Sequence, residues 1–225
     1  FILDPLTDLP TDTIHYDKGE AVATYPNIEP RFAVRYSINE SSSLKASYSQ
    51  NYQYIHLASL SGISLPTDTW VPSSDRVKPQ FGTQYALGYF KNFKNNTYET
   101  SVEAYYKTMK NQIEYEEGFL PENQVNGNLD NFFVFGKGWS YGAEFFLKKS
   151  KGRFSGWIGY TLAWTKREFP ELNLGKEFYP KYDRRHDISV VLTYELGKRI
   201  VFGATWVYAT GNLNTFPEKL YLLSN

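Results

Sequence analysis

The sequence predicts an all-β protein: a segment of an antiparallel up-and-down transmembrane β-barrel, of about eight strands. Three observations carry this. Apolar and polar residues alternate with period two over about eight stretches, as they do on extended chain whose successive side chains point to opposite faces. The links between the stretches alternate between short and long. Aromatic residues are abundant, with 19 Tyr, 16 Phe and 5 Trp among 225 residues, and they gather toward the strand ends.

The first strand spans residues 29–38, with Phe32, Val34, Tyr36 and Ile38 on one face and Arg31, Arg35 and Ser37 on the other. The second, 43–54, sets Leu44, Ala46, Tyr48, Tyr52 and Tyr54, broken only by Gln50, against the wholly polar Ser43, Lys45, Ser47, Ser49, Asn51 and Gln53. The third, 80–91, sets Phe81, Tyr85, Leu87 and Tyr89 against Gln80, Gly82, Gln84 and Gly88. The fourth, 97–108, sets Tyr98, Val102, Ala104 and Tyr106 against Glu99, Ser101, Glu103 and Lys107. The fifth, 139–148, sets Trp139, Tyr141, Ala143, Phe145 and Leu147 against Ser140, Gly142, Glu144 and Lys148. The sixth, 153–165, carries Phe154, Ile158, Tyr160, Leu162 and Trp164 in register. The seventh, 187–195, carries Ile188, Val190, Leu192 and Tyr194, and the eighth, 199–210, Ile200, Phe202, Ala204, Trp206 and Tyr208.

Short links fall at 39–42, 91–97, 149–152 and 195–198, rich in the Asn, Gly, Lys and Ser of tight turns. Long links fall at about 55–79, 109–138 and 166–186. In an up-and-down sheet the short turns then share one end and the long loops the other. Compact domains rarely keep several long structureless loops without a use for them.

Trp139, Trp164, Trp206 and Tyr208 lie toward the long-loop end, and Tyr36, Tyr89, Phe154 and Tyr194 toward the short-turn end. Two aromatic belts about an aliphatic band mark a membrane-spanning barrel, with short periplasmic turns and long extracellular loops. Strands of about ten residues also match a tilted bilayer crossing. A soluble sandwich or ligand-binding barrel would turn a Val-, Ile- and Leu-packed face inward instead. A complete small structural or adhesive barrel is the other membrane alternative.

Lys and Arg total 24 and Asp and Glu total 24. This balance lacks the positive excess on which nucleic-acid binding rests. The absence of cysteine excludes disulfides and thiol chemistry. No apolar run approaches the roughly 18 residues of a transmembrane helix, and no secretion signal opens the chain, whose first residue is Phe1.

The stretches "NIEPRFAVRYSINESSSLKASYSQNYQYIHL", "VPSSDRVKPQ", "GKGWSYGAEFFLKKSKGRFSGWIGYTLAWTKREF" and "FYPKYDRRHDISVVLTYELGKRIVFGATWVYATGN" occur in this order over roughly residues 25–217. Together they resemble the carboxy-terminal half of a TonB-dependent outer-membrane receptor. The pattern GKGxxYGxExxxKK, followed by a short turn and "GWIGYTL", is the most specific part. The resemblance implies a barrel of about 22 strands with a plugged lumen. It implies import of a scarce nutrient (an iron chelate, cobalamin, a glycan or a peptide) using inner-membrane energy. The implied partners are outer-membrane lipid, the receptor's own plug domain, the TonB complex acting through that plug, and in some branches a surface lipoprotein. It implies no enzyme and no cofactor. No plug is recognisable, and the chain closes on the loop-like "GNLNTFPEKLYLLSN". Residues 1–225 are therefore expected to be a segment of one barrel domain from a longer receptor.

No catalytic or metal-binding set emerges. His15, His56 and His186 are scattered. "DRRHD" at 183–187 lacks a nucleophile and suits a charged barrel rim. Glu114, Glu116 and Glu117 read as a solvated acidic loop rather than paired catalytic carboxylates. Arg31, Arg35, Lys45, Glu99, Glu103, Lys107, Glu144 and Lys148 are expected to face the lumen and the plug, alternating in sign as a cross-strand ladder. Ligand contact is expected from the long loops: Tyr54, His56, Trp70, Asp75 and Arg76 in the first, Arg167 and Arg184 in the third.

Overall fold

The computed structural model describes residues 2–3, 10–12, 18–21, 23–58, 69–116 and 129–211. Its strands are β1 (Ile2–Leu3), β2 (Pro10–Asp12), β3 (Arg31–Asn39), β4 (Ser42–Gln53), β5 (Ile55–Ala58), β6 (Thr69–Pro72), β7 (Gln80–Phe93), β8 (Tyr98–Tyr115), β9 (Phe133–Lys149), β10 (Phe154–Glu168), β11 (His186–Leu196) and β12 (Ile200–Ala209). Eight of them form one sheet in the order β12-β11-β10-β9-β8-β7-β4-β3, and β1–β2 and β5–β6 are separate two-stranded ribbons. Every pairing in the large sheet is antiparallel. The eight expected strands are thus present and paired in chain order. Turn chemistry sets the short links. Lys94, Asn95 and Asn96 all take positive φ between β7 and β8, a conformation that Asn tolerates better than most residues.

The register joins like faces across the sheet. One row runs Val34, Ala46, Leu87, Ala104, Ala143, Leu162. The next runs Tyr36, Leu44, Tyr89, Val102, Phe145, Tyr160, Ile188, Tyr208. Among the described residues no second layer covers this face: Val34 is 68% exposed and Leu87 59%. A soluble sandwich would bury this face. Left bare, it is favourable only against an apolar solvent. Aromatic pairs mark both ends: Phe93 stacks on Tyr98 at the short turns, and Tyr52 packs against Phe81 at the long loops. Tyr48–Tyr85 and Phe145–Tyr160 also stand within the band, which is less purely aliphatic than the sequence pattern implies.

The second long link is shorter than expected. β8 runs on to Tyr115 and β9 begins at Phe133, so much of 109–138 is strand. The sequence hides this because β8 carries a bulge. Asn111 sits at φ 54° and the register slips between Met109 and Gln112. The extra residue breaks the period-two pattern where the strand would otherwise be recognised. The first long link is also not structureless, since it contains the β5–β6 hairpin.

Packed interior is concentrated at the long-loop end. Ala58, Val71, Val77, Ile113 and Phe133 form one buried cluster, with Tyr115 and Phe135 against it. Phe169 and Leu172 of the third link are buried as well.

Candidate functional site at the long-loop end

The first loop docks on the apolar side of the β8–β9 extension. Ile113 pairs with Phe135 and Tyr115 with Phe133, on the same face of β9 as Trp139 and Tyr141. Against these rings lie Ala58 and Val71 of the hairpin, and Val77 just beyond it. His56 is directly opposite Val71. It is 1% exposed, holds Ser73 Oγ at 3.1 Å, and its Nδ1 has no partner among the described residues. Burial pulls its pKa below the ordinary imidazole value. Ser74 donates to Asp130, and Arg76 donates to Asn131, which ties the loop base to the start of β9.

The third loop docks mainly on the opposite, polar side. Arg167 of β10 reaches across β9 to β8, where its guanidinium donates to Glu114 Oε2 at 2.8 Å and to Gln112 Oε1 at 3.0 Å. Gln112 in turn donates to Gln80 of β7. That reach spans two interstrand spacings, roughly 10 Å, and it needs a smooth floor. Gly138 supplies one, because a Cβ there would stand 3.4 Å from Arg167 Cγ and 3.0 Å from the Lys166 carbonyl. At Gly136 a Cβ would fall 2.6 Å from the Phe169 ring and 2.4 Å from the Glu168 carbonyl, so only glycine fits. The "GKG" of the sequence pattern is therefore the seat of the third loop. Residues 177–179 pair with the edge of β10 through Phe178 and Arg167. Asp183, 5% exposed, accepts the Thr165 N–H at 2.7 Å and Arg185 at 3.2 Å. Arg167 also lies over the Tyr182 ring at 5.1 Å. Burial pushes the Glu114 carboxyl above its ordinary pKa, although Arg167 and Lys181 pull it down. Desolvation around its hydroxyl likewise raises the pKa of Tyr182, although the residue as a whole is 46% exposed.

The sequence candidates are thus divided between two faces. Tyr54, His56, Trp70 and Arg76 belong to the first-loop unit, with Asp75 exposed at its base. His56 is inside the cluster and packs the hairpin rather than presenting its ring outward. Tyr54 is 39% exposed and Trp70 65%. Arg167 is held in the Glu114 pair, and Arg184 is exposed beside Asp183. Glu114 is not part of a solvated acidic loop: it is on β8, about a third exposed and ion-paired. Glu117 and His15 lie outside the described residues. Gln112 and Tyr182 carry no pattern that marks them in the sequence, and Asp183 reads there only as part of the charged rim "DRRHD". Their roles come from the bulge and the folded third loop. Among the described residues no group of His, Asp or Glu is arranged to hold a metal ion.

The eight charged wall residues do share the polar face, but their signs do not alternate. Arg35 is directly opposite Lys45, and Glu103 directly opposite Glu144, with Gly88 between the two pairs. The ladder expectation fails because like charges face each other, an arrangement that costs stability. Lys148 does meet Glu99, at 3.3 Å, and Arg31 meets Glu29 at 3.2 Å. Arg35, Lys45, Glu103, Lys107 and Glu144 make no ion pair among the described residues. The face also carries Phe90, Tyr105, Phe146 and Trp157, the last two in contact with rings 6.0 Å apart.

A family model described as TonB dependent receptor-like, beta-barrel matches residues 7–221. No curated protein matches the sequence. Among solved structures, the ferripyoverdine receptor of the outer membrane of Pseudomonas aeruginosa, bound to ferripyoverdine, is similar with TM-score 0.53 and 15% identity, over 82% of this chain and 25% of that one. The FpvAI–pyocin S2 complex is similar with TM-score 0.53 and 14% identity, over 82% and 26%. The FrpB iron transporter from Neisseria meningitidis (F3-3 variant) is similar with TM-score 0.53 and 14% identity, over 79% and 26%. At these identities the likeness is one of fold, and this chain spans about a quarter of those structures' length.

Proposed function

The chain belongs to the TonB-dependent receptor-like β-barrel family, and on that premise we propose that it forms part of the wall of an outer-membrane receptor importing a scarce nutrient. The family's members are outer-membrane transporters rather than enzymes. The single observation that carries the reading is the uncovered apolar face of an eight-stranded up-and-down sheet backed by a charged face. An iron chelate is the favoured cargo, supported by the ferripyoverdine receptor and the iron transporter among the similar structures. Cobalamin, glycans and peptides are the other cargo classes.

The polar face is read as the seat of the receptor's plug. Arg35 with Lys45, and Glu103 with Glu144, are like-charged neighbours that require counter-charge from outside the wall. An acidic group of the plug over the first pair and a basic group over the second would supply it. The TonB complex then acts through that plug, and a surface lipoprotein is a further candidate partner. Cargo is read as meeting Tyr182 and Arg184 of the third loop, which are exposed, with Arg167 positioned beneath.

Uptake of radiolabelled ferric chelate by cells carrying the whole receptor tests this. Uptake that needs the receptor and stops when the proton-motive force is collapsed is expected. Uptake indifferent to the receptor, with cobalamin transport dependent on it, would replace the cargo assignment.

A further inference from the structure

We propose that the outer face of the β5–β6 hairpin is a membrane anchor, seated in the interfacial zone of the outer leaflet just above the wall. The proposal rests on the lipid-facing reading of the wall's apolar side.

The hairpin register gives it two faces. His56, Ala58 and Val71 point into the buried cluster. Ile55, Leu57, Trp70 and Pro72 form the other face, opposite one another in two pairs. Every one of them is apolar and exposed: Ile55 55%, Leu57 44%, Trp70 65%, with Pro72 also open. A two-stranded ribbon standing in water should alternate, with its outer face polar. A contiguous exposed apolar patch instead marks an interaction surface.

Position selects the occupant. The hairpin packs on the apolar side of the wall, through Ile113, Phe133 and Phe135. Its outer face therefore looks away from the barrel, in the direction in which lipid lies. It begins one residue beyond β4, and the apolar surface is continuous across the join. Phe81 packs on Tyr52 at 4.8 Å and Tyr52 stacks on Tyr54 at 6.5 Å, next to Ile55. Trp and Tyr with an apolar neighbour are the side chains that favour the membrane–water interface. Lys110 stands at the same level, in register with Phe81 on the apolar side. It is exposed and makes no ion pair among the described residues. A lysine at that depth suits an anionic headgroup. Below this level β8 and β9 are interior to the sheet, so the hairpin stands over a stretch of wall flanked by β7 and β10.

The segment contains no cysteine, so each introduced one is unique within it. The receptor carrying this segment is reconstituted in phosphatidylcholine–phosphatidylglycerol vesicles. A bimane label is placed at Leu57→Cys or Trp70→Cys, and for reference at Tyr48→Cys on the wall and Lys78→Cys at the exposed loop base. Quenching is read with nitroxide lipids labelled at the headgroup or high on the acyl chain, and with aqueous iodide. Labels at Leu57 and Trp70 are expected to be quenched several-fold more by the nitroxide lipids than the label at Lys78, and to be shielded from iodide. Iodide quenching equal to that at Lys78 would place the patch in water and overturn the proposal in favour of a protein or cargo surface. Silence to both quenchers, with Tyr48 still lipid-quenched, would mean that another part of the receptor covers the patch, and would also overturn it. If Tyr48 too escapes the nitroxide lipids, the lipid-facing reading of the wall itself fails.

Discussion

Leu87 and Ile113 are aliphatic residues on the same side of neighbouring strands, yet one is 59% exposed and the other 6%. Leu87 is in mid-wall, where side chains touch neighbours along the sheet and nothing in front. Ile113 is in the β8 extension, where the first loop folds over it. The wall is held by its backbone ladder and by a solvent that accepts apolar surface. The long-loop end is held as a soluble domain is, by side chains excluded from water. The difference predicts that the same kind of mutation acts through different media in the two regions.

The largest expected effect is in the loop end. Phe133→Ala should destabilise the docked first loop by about 3–5 kcal/mol, through lost burial and the cavity left behind. Hydrogen exchange should rise in Ile55–Ala58 and Thr69–Pro72, while the mid-wall strands keep their protection. Equal loss of protection in β4 and β7 would show that the two regions are one cooperative unit.

In the wall, Leu87→Arg should cost about 2–4 kcal/mol in a bilayer if it lies near the midplane. Ser47→Arg or Ser101→Arg, on the polar face, should cost much less. Folding titrations in lipid vesicles read both. Equal costs on the two faces would remove the asymmetry on which the comparison stands.

A smaller effect separates the two loops. Arg167→Ala leaves Glu114 and Gln112 without their donor and should loosen the third loop by about 1–3 kcal/mol. Proteolysis within 169–185 should speed up, with the first loop unaffected. Arg167→Lys should rescue only in part, because one ammonium cannot reproduce the guanidinium fork.

The smallest effect is a response to pH. The folded His56 has a lowered pKa, so the unfolded hairpin binds more protons as pH falls through the ordinary imidazole range. Hairpin protection is therefore complete above that range and is lost on acidification. Glu114 has the opposite sign: its raised carboxyl pKa means that acid does not weaken the third loop through this group. Hydrogen exchange near neutrality and at mildly acidic pH should show the first loop opening alone. His56→Phe should remove that pH dependence.

Much of this architecture was legible in the sequence, for a physical reason. Alternation in residues 43–53, broken only at Gln50, is clear because one face of the sheet is apolar and uncovered and the other polar, so strand and face can both be read from it. Legibility failed where a third body intervenes. Asn111 inserts a bulge and shifts Glu114 onto the polar face, so "EYEEG" reads as a loop although its first two residues, Glu114 and Tyr115, are strand. His56 reads as an exposed loop ligand because the hairpin that buries it has no separate signature. Arg167 reads as a functional loop residue, but its reach to Glu114 depends on Gly138, and the third loop's seat on Gly136, a mechanical use that the spacing GKG does not disclose. The sign pattern of the wall charges is not legible in the sequence, because register cannot be set from single strands: Arg35 is seen to face Lys45 only once the β3–β4 turn is known.

The most direct test of the wall assignment is a collision-accessibility scan with nitroxide labels. Labels at Leu44, Tyr48, Leu87, Val102, Phe145, Ile158 and Val190 are compared with labels at Ser47, Ser101 and Ser155, in the reconstituted receptor. The first set should collide freely with lipid-dissolved oxygen and be shielded from a water-soluble nickel reagent, with a depth profile that peaks in mid-strand. The second set should show no such profile. Labels at Tyr48 and Phe145 as closed to oxygen as a packed protein interior would contradict the account, and the apolar face would then be a buried core.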